Sequence, residues 1–312
     1  MNTMIVLIRR EVWENRSLWI VPLVIAAVLL LAVSVGGLHV NNNNFSFGTG
    51  SDTSAFQDMS ETDRAMVADA IREHADKVDI VYAMSISALT TIELFAICVV
   101  VFFYLLDCLL QERKDRSILF WKSMPISDAQ VVMSKVLTAL VLAPLFVLLV
   151  SAVLQILVGA AVWLRFGSTA IGDFLPVWKP GVWLEVQAAC LMFVPTMVLW
   201  YLPIAGYLLL VSIWSRRNAF LWAVLPWASL LLIETLLSQS HHVAVFLGRR
   251  FAGALELMAL DQQRHDPPDL TLGSWASHLG NVYVSLEFWI SIAVGVAFIF
   301  AAIRIRRYRD EN

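Results

Sequence analysis

Charge is scarce in this chain. Charged residues make up 15% of its 312 residues, against an average of about 25% for soluble domains. Hydrophobic residues make up 59%, and the mean hydropathy is +0.72. One soluble core cannot hide so much apolar surface, whereas a bilayer accepts it. Net charge is only −3, so no basic field marks a nucleic-acid partner. Cysteines number three, Cys98, Cys108 and Cys190, all inside apolar runs. Cys98 and Cys108 share one predicted helix, about 15 Å apart by helical rise, too far to bridge. A disulfide framework and a thiolate metal site are therefore not expected. The chain also has no G-x-x-x-x-G-K-[ST] phosphate loop, no H-E-x-x-H pair and no G-x-S-x-G elbow. ATP binding by a phosphate loop, zincin chemistry and α/β-hydrolase chemistry are thereby excluded. No catalytic residue, metal ligand or cofactor of its own is assigned.

What the chain has is long apolar runs. A spanning helix needs about 20 mostly apolar residues, and runs of that kind lie near 19–38, 86–109, 136–161, 187–212, 219–237 and 285–303. The second and fourth exceed the requirement, which predicts tilt or protrusion. The first follows Arg9, Arg10 and Arg16 but is too long for a signal-peptide core and has no good cleavage site after it, so it reads as an uncleaved span. Lys and Arg are unevenly shared: fourteen fall on the side of both termini and eight on the other side, over longer loops. By the positive-inside rule both termini are cytoplasmic. The expected fold is an all-α integral membrane domain over 1–312, with six transmembrane helices.

Several shorter pieces surround the spans. Residues 3–15 predict an amphipathic interfacial helix, with Met4, Ile5, Ile8 and Val12 on its apolar face and Arg9, Glu11 and Glu14 largely elsewhere. The outer segment 39–79 opens with a polar Asn/Gly-rich stretch expected to be loose. Ser60–Asp63 then fits a capping box for a helix through Met66, Val67, Ala70 and Ile71. Segment 238–284 predicts short extracytoplasmic interfacial helices. Trp163, Phe166, Phe174, Trp178 and Trp183 read as an interfacial aromatic belt.

Between spans two and three the chain turns from charge to bulk: Glu112 to Arg116 are all charged, and Ile118, Leu119, Phe120 and Trp121 are all apolar. Pro125 blocks a continuous helix. Ser127 and Gln130 form a capping box for span three, Asp128 favours the positive helix end, and Ile126 and Val131 are spaced as a staple. The residues between are predicted to form a short helix at the membrane surface. It either dips its apolar residues into lipid or fits them into a groove on a soluble partner.

The run QERKDRSILFWKSMPISD at 111–128 resembles the cytoplasmic loop of bacterial ABC-2-type transporter permeases, where a run of this type links spans two and three. RREVWENR at 9–16, before a span with an early Pro22, is similar to that family's start. The resemblance implies an ABC exporter's transmembrane subunit in the bacterial cytoplasmic membrane, with a coupling helix that contacts an ATP-hydrolysing subunit. It assigns that contact to Glu112, Arg113, Asp115, Arg116, Ile118, Leu119, Phe120, Trp121, Lys122, Met124 and Pro125. Phe120 and Trp121 would be the anchors, and Glu112, Arg113 and Arg116 the steering charges. ATP and Mg would sit on the partner ATPase. Six spans are half of the usual twelve, which implies a homodimer or a paired relative. The Asn-rich outer segment has no counterpart in this resemblance.

Ionisable residues inside spans are functional candidates by default, and here they are Glu93, Asp107 and Glu234. Asp107 is placed to pair with Arg113 or a neighbouring cation, and Glu234 to reach water. Glu185 and Glu287 lie near span ends, where solvation is expected. All six histidines fall on the outer side without ligand spacing. Pro144, Pro195, Pro203 and Pro226 lie within spans, either accommodated by neighbouring helices or flexing during transport. Two other classes stay open: a membrane-embedded enzyme, which needs a converging polar cluster, and a non-transporting sensor or immunity protein, against which a neighbouring ATPase gene would argue.

The orientation is directly testable. With Ser54→Cys and Ser117→Cys made singly, an impermeant thiol reagent on intact cells is expected to label position 54 and spare position 117. The opposite pattern reverses the topology.

Overall fold

A computed structural model describes residues 3–35, 37–41, 44–48, 75–115, 126–166, 179–237, 241–258 and 272–308. The Ser60–Asp63 capping box, Phe174, Trp178 and the proposed contact residues from Arg116 to Pro125 lie outside them. Among the described residues six helices are long and apolar enough to cross a membrane, the pattern of a multi-pass membrane protein. In chain order the elements are α1 (Thr3–Glu14), α2 (Ser17–Val35), β1 (Gly37–Asn41), β2 (Asn44–Gly48), α3 (Ala75–Lys114), α4 (Asp128–Leu137), a π-helical turn (Thr138–Leu142), α5 (Ala143–Phe166), α6 (Pro180–Trp214), α7 (Ala219–Leu237), α8 (His242–Met258), α9 (Leu272–Val284) and α10 (Leu286–Tyr308).

The stretch expected to be loose instead forms an antiparallel hairpin. Leu38 pairs with Phe47 and Val40 with Phe45, while His39 pairs with Ser46. Apolar and polar residues alternate with period two on both arms, which is strand patterning despite the asparagines.

The helices are of two lengths. At 1.5 Å per residue the 40-residue α3 is about 60 Å long and the 35-residue α6 about 52 Å. Hydrocarbon is about 30 Å thick, so these helices, with the α4–α5 run, extend well beyond it. The 19-residue α7 and 23-residue α10 only just cross, at about 28 and 35 Å. The long helices hold the core: Leu94, Ile97, Leu105 and Leu109 of α3 pack with Val132 and Val147 and with Ala205, Leu208 and Leu209 of α6. At the end remote from α1, Lys179 ion-pairs with Asp79 and ties α6 to α3.

The third span is not one regular helix. It opens with the expected capping box: Gln130 N–H donates to Ser127 Oγ at 3.3 Å, and Ser127 N–H donates to Gln130 Oε1 at 3.1 Å. After Leu137 it widens into the π-helical turn, where Ala143 N–H donates to Thr138 O, five residues back. Pro144 explains the location. Its ring would strike the carbonyl of Leu140 in a tight α-helix, and it has no N–H to donate. A π turn in the preceding residues relaxes that conflict.

The most extensive helix pair is α6 with α10. They approach backbone to backbone at Gly206 and Gly295. A Cβ on Gly295 would lie 2.8 Å from Pro203 N and 2.9 Å from Leu202 C, and a Cβ on Gly206 would lie 2.7 Å from Gly295 O. Small residues at the crossing permit this packing in lipid, where hydrophobic attraction between helices is absent. Gly295→Ala is therefore expected to push the pair apart and cost about 1–3 kcal/mol. Gly181→Ala, with nothing within 4 Å, is the matched neutral change. Thermal unfolding of the purified chain checks it; equal midpoints for the two variants would contradict the close approach.

Candidate functional site

At the α1 end of the bundle the chain buries a network of charges. Glu11, Glu112, Lys135 and Arg306 are each 5% exposed or less. They come from α1, α3, α4 and α10 respectively. Lys135 Nζ donates to Glu11 Oε1 at 2.7 Å and lies 3.0 Å from Glu112 Oε1. Arg306 Nη1 donates to Glu112 Oε2 at 2.7 Å, and its Nε donates to Asp128 Oδ1 at 3.0 Å. The second oxygen of Glu11 accepts from Tyr104 Oη at 2.8 Å and from Asn15 Nδ2 at 3.3 Å. Three carboxylates thus share two cations, and each acid has at least one. Burial of isolated charges is prohibitive, but paired and hydrogen-bonded charges are tolerated.

This corrects two expectations. Glu11 lies on the buried face of α1, with Leu7, rather than away from it. Ile5, by contrast, is exposed. The first helix is therefore not seated by grease alone: its inward stripe delivers a carboxylate to Lys135. Glu112, expected to steer a partner from the surface, is enclosed and spent on Lys135 and Arg306. Its neighbour Arg113 donates to the carbonyls of Ser212 (3.0 Å) and Ser215 at the C-terminus of α6. That is the favourable place for a cation at a helix end, and it replaces the expected pairing with Asp107. Asp115 is exposed where the described part of α3 stops.

Arg306 grips both bases of the 113–127 connection at once. Glu112 precedes that connection and Asp128 follows it, so one guanidinium from the last helix clasps the place where the chain leaves and returns. Beside it, between α1 and α3, lies an open cavity of about 700 Å³ whose walls carry five carboxylates against two cations. Asp107, itself exposed, is one of those acids.

The other two intramembrane acids have different fates. Glu234 accepts from the backbone N–H groups of His242 (2.7 Å) and Val243 (2.8 Å), capping α8 from the end of α7. Glu93 is fully buried, and neither of its oxygens has a hydrogen-bond partner among the described residues. One turn away begins a second polar cluster. Thr90 Oγ1 and Ser151 Oγ lie 2.7 Å apart. Gln155 Nε2 donates to Thr90 Oγ1 at 2.9 Å, and its Oε1 accepts from Trp183 Nε1 at 2.8 Å and Gln187 Nε2 at 2.7 Å. These groups satisfy one another and join α3, α5 and α6. The hydrogen-bonded set contains no imidazole, thiol or carboxylate to serve as nucleophile or base, so it reads as interhelical fastening.

Lys135 is the test of the charged network. Lys135→Met leaves Glu11 and Glu112 buried beside each other with one cation fewer, and an unpaired buried charge costs about 3–5 kcal/mol. The exposed pair Arg10–Glu14, at 2.6 Å, is worth only about 0–1 kcal/mol. Unfolding of the purified chain is expected to show a large loss for Lys135→Met and little for Arg10→Ala, with Glu11→Gln restoring part of the first loss. Equal, small effects would mean the network bears no load. In comparisons with known proteins no family model, no curated protein and no solved structure matches the chain, so its functional reading rests on these residues.

Proposed function

We propose that the chain is the transmembrane subunit of an ABC-2-type transporter, an exporter in a bacterial cytoplasmic membrane, driven by a separate ATPase. The observation that carries this reading is the clasp formed by Arg306 on Glu112 and Asp128. The proposed coupling segment emerges between those two acids. A force on it would not bend a free loop; it would be delivered through Arg306 to α10, through Lys135 to α4 and through Glu11 to α1. That is the connection a transport cycle needs between a surface contact and several spans. The aromatic pair Phe120 and Trp121 supplies the contact itself, and the network behind it supplies the transmission. Two copies of the chain would complete the pathway, in keeping with the commonness of two-fold assemblies.

Anchor and transmission residues are separable by experiment. Trp121→Ala is expected to lose the co-purifying ATPase in mild detergent while the thermal midpoint of the membrane chain stays unchanged. Truncating a central aromatic anchor typically costs at least about 2 kcal/mol, roughly thirtyfold in affinity. Arg116→Ala should weaken assembly mildly and alter its salt sensitivity. If no nucleotide-hydrolysing protein accompanies the wild-type chain, or if Trp121→Ala keeps the complex and destabilises the chain instead, the reading fails.

A further inference from the structure

The helix α8 carries two adjacent arginines, Arg249 and Arg250. This helix follows the short α7 and leans on the middle of α6. Trp200 Nε1 donates to Arg250 O at 3.1 Å, and Tyr201 Oη donates to Phe251 O at 3.0 Å. Gly253 lets α8 lie against the Trp200 ring, since a Cβ there would stand 2.8 Å from Trp200 Cζ2. α8 there meets Ser285, Glu287 and Phe288 at the start of α10, a helix of about 35 Å that only just crosses, so it lies at the membrane boundary remote from α1.

Two arginines are carried there. Arg250 stacks over the Trp200 ring, 4.9 Å from its centroid. Its Nη2 is buried with no hydrogen-bond partner among the described residues. Arg249 beside it is exposed and has no ion-pair partner there either. Glu287 is the acid whose field reaches Arg250, and burial pushes the Arg250 guanidinium below its ordinary value while Glu287 offsets this. All three line an open cavity of about 320 Å³ walled by Trp200, Phe246 and Phe288. One carboxylate does not neutralise two guanidinium groups, and the buried Nη2 of Arg250 is left a donor for an anion.

We propose that this cavity holds the anionic headgroup of a phospholipid from the leaflet remote from α1. The phosphodiester would take the forked donors of Arg249 and Arg250, which suit phosphate geometry. The acyl chains would run along the exposed apolar residues Val245, Phe246 and Phe251. A free anion lacks a reason to prefer the aromatic wall; an amphiphile has one. The site stands whether or not the chain couples to an ATPase.

The experiment uses the full chain in neutral detergent, followed by thermal unfolding during titration with short-chain phosphatidylglycerol. A saturable rise in midpoint is expected. In R249Q/R250Q the concentration for half-saturation should increase at least tenfold, and in the exposed single variant R249Q about threefold. Arg307→Gln, an exposed arginine at the opposite end, should match wild type. Inorganic phosphate at equal concentration should give no rise. If the double variant does not fold, R249Q decides alone. An unchanged titration in R249Q or R249Q/R250Q places the lipid elsewhere and overturns the proposal. So does an equal rise with inorganic phosphate, which would make the cavity a soluble-anion site.

Discussion

The buried contact between Lys135 and its two carboxylates governs the arrangement of the α1 end. Lys135 enters the third span three residues before the helix turns π, and its ammonium is enclosed by Glu11 on one side and Glu112 on the other. Without it two acids would face each other in an apolar bundle. With it, the N-terminal helix, the end of α3 and the start of α4 are drawn to one point, and Arg306 adds α10. The apolar packing above this point is permissive: leucine and valine on long helices satisfy many alignments in lipid. The ionic cluster is selective, because each of its distances is met in one alignment. Buried ions add little net stability, yet misplacing one is expensive, which is how they specify register.

Much of the fold was legible in the sequence. All six runs became helices, with ends within a few residues except where α3, α4–α5 and α6 continue past the apolar stretch. The capping box at Ser127 and Gln130 was readable because its chemistry is local: two side chains and two N–H groups within four residues. The hairpin at Gly37–Gly48 was missed because asparagine-rich composition masked an alternating pattern. The burial of Glu11 was missed for a different reason. Hydrophobic periodicity assigns a charged residue to the outer face, and only a partner 124 residues away reverses that. Lys135 and Arg306 are two of the fourteen Lys and Arg residues on the side of both termini, counted only for sidedness. Their role depends on tertiary partners, which spacing does not encode.

The same distinction separates the three intramembrane acids. Glu234 resembled a transport or solvent-facing group and is a cap for the following helix. Asp107 looked like an ion-pair member and lines an acidic cavity. Glu93 lies inside the bundle beside a cluster that satisfies itself without it. Three acids on two apolar helices thus end in three environments, decided by what packs beside each. The long α3 encloses Glu93 where it packs with α5 and α6 but leaves Asp107 exposed, whereas α7, largely bare, leaves its polar end free to serve the next segment.

The attachment of α8 has a consequence for how freely its sequence can change. It is held by Glu234 on two of its own amides and by Trp200 and Tyr201 on two of its own carbonyls. Every one of these bonds is made to main-chain atoms of α8, and the side chains responsible belong to α6 and α7. Gly253, where bulk is barred, and Arg250, stacked on Trp200, add to that seat, but the hydrogen bonds themselves do not depend on which side chains α8 displays. Its position is inherited from its neighbours while its surface is left open to variation. The chain can therefore retune what α8 meets in the membrane without rebuilding the bundle that carries it.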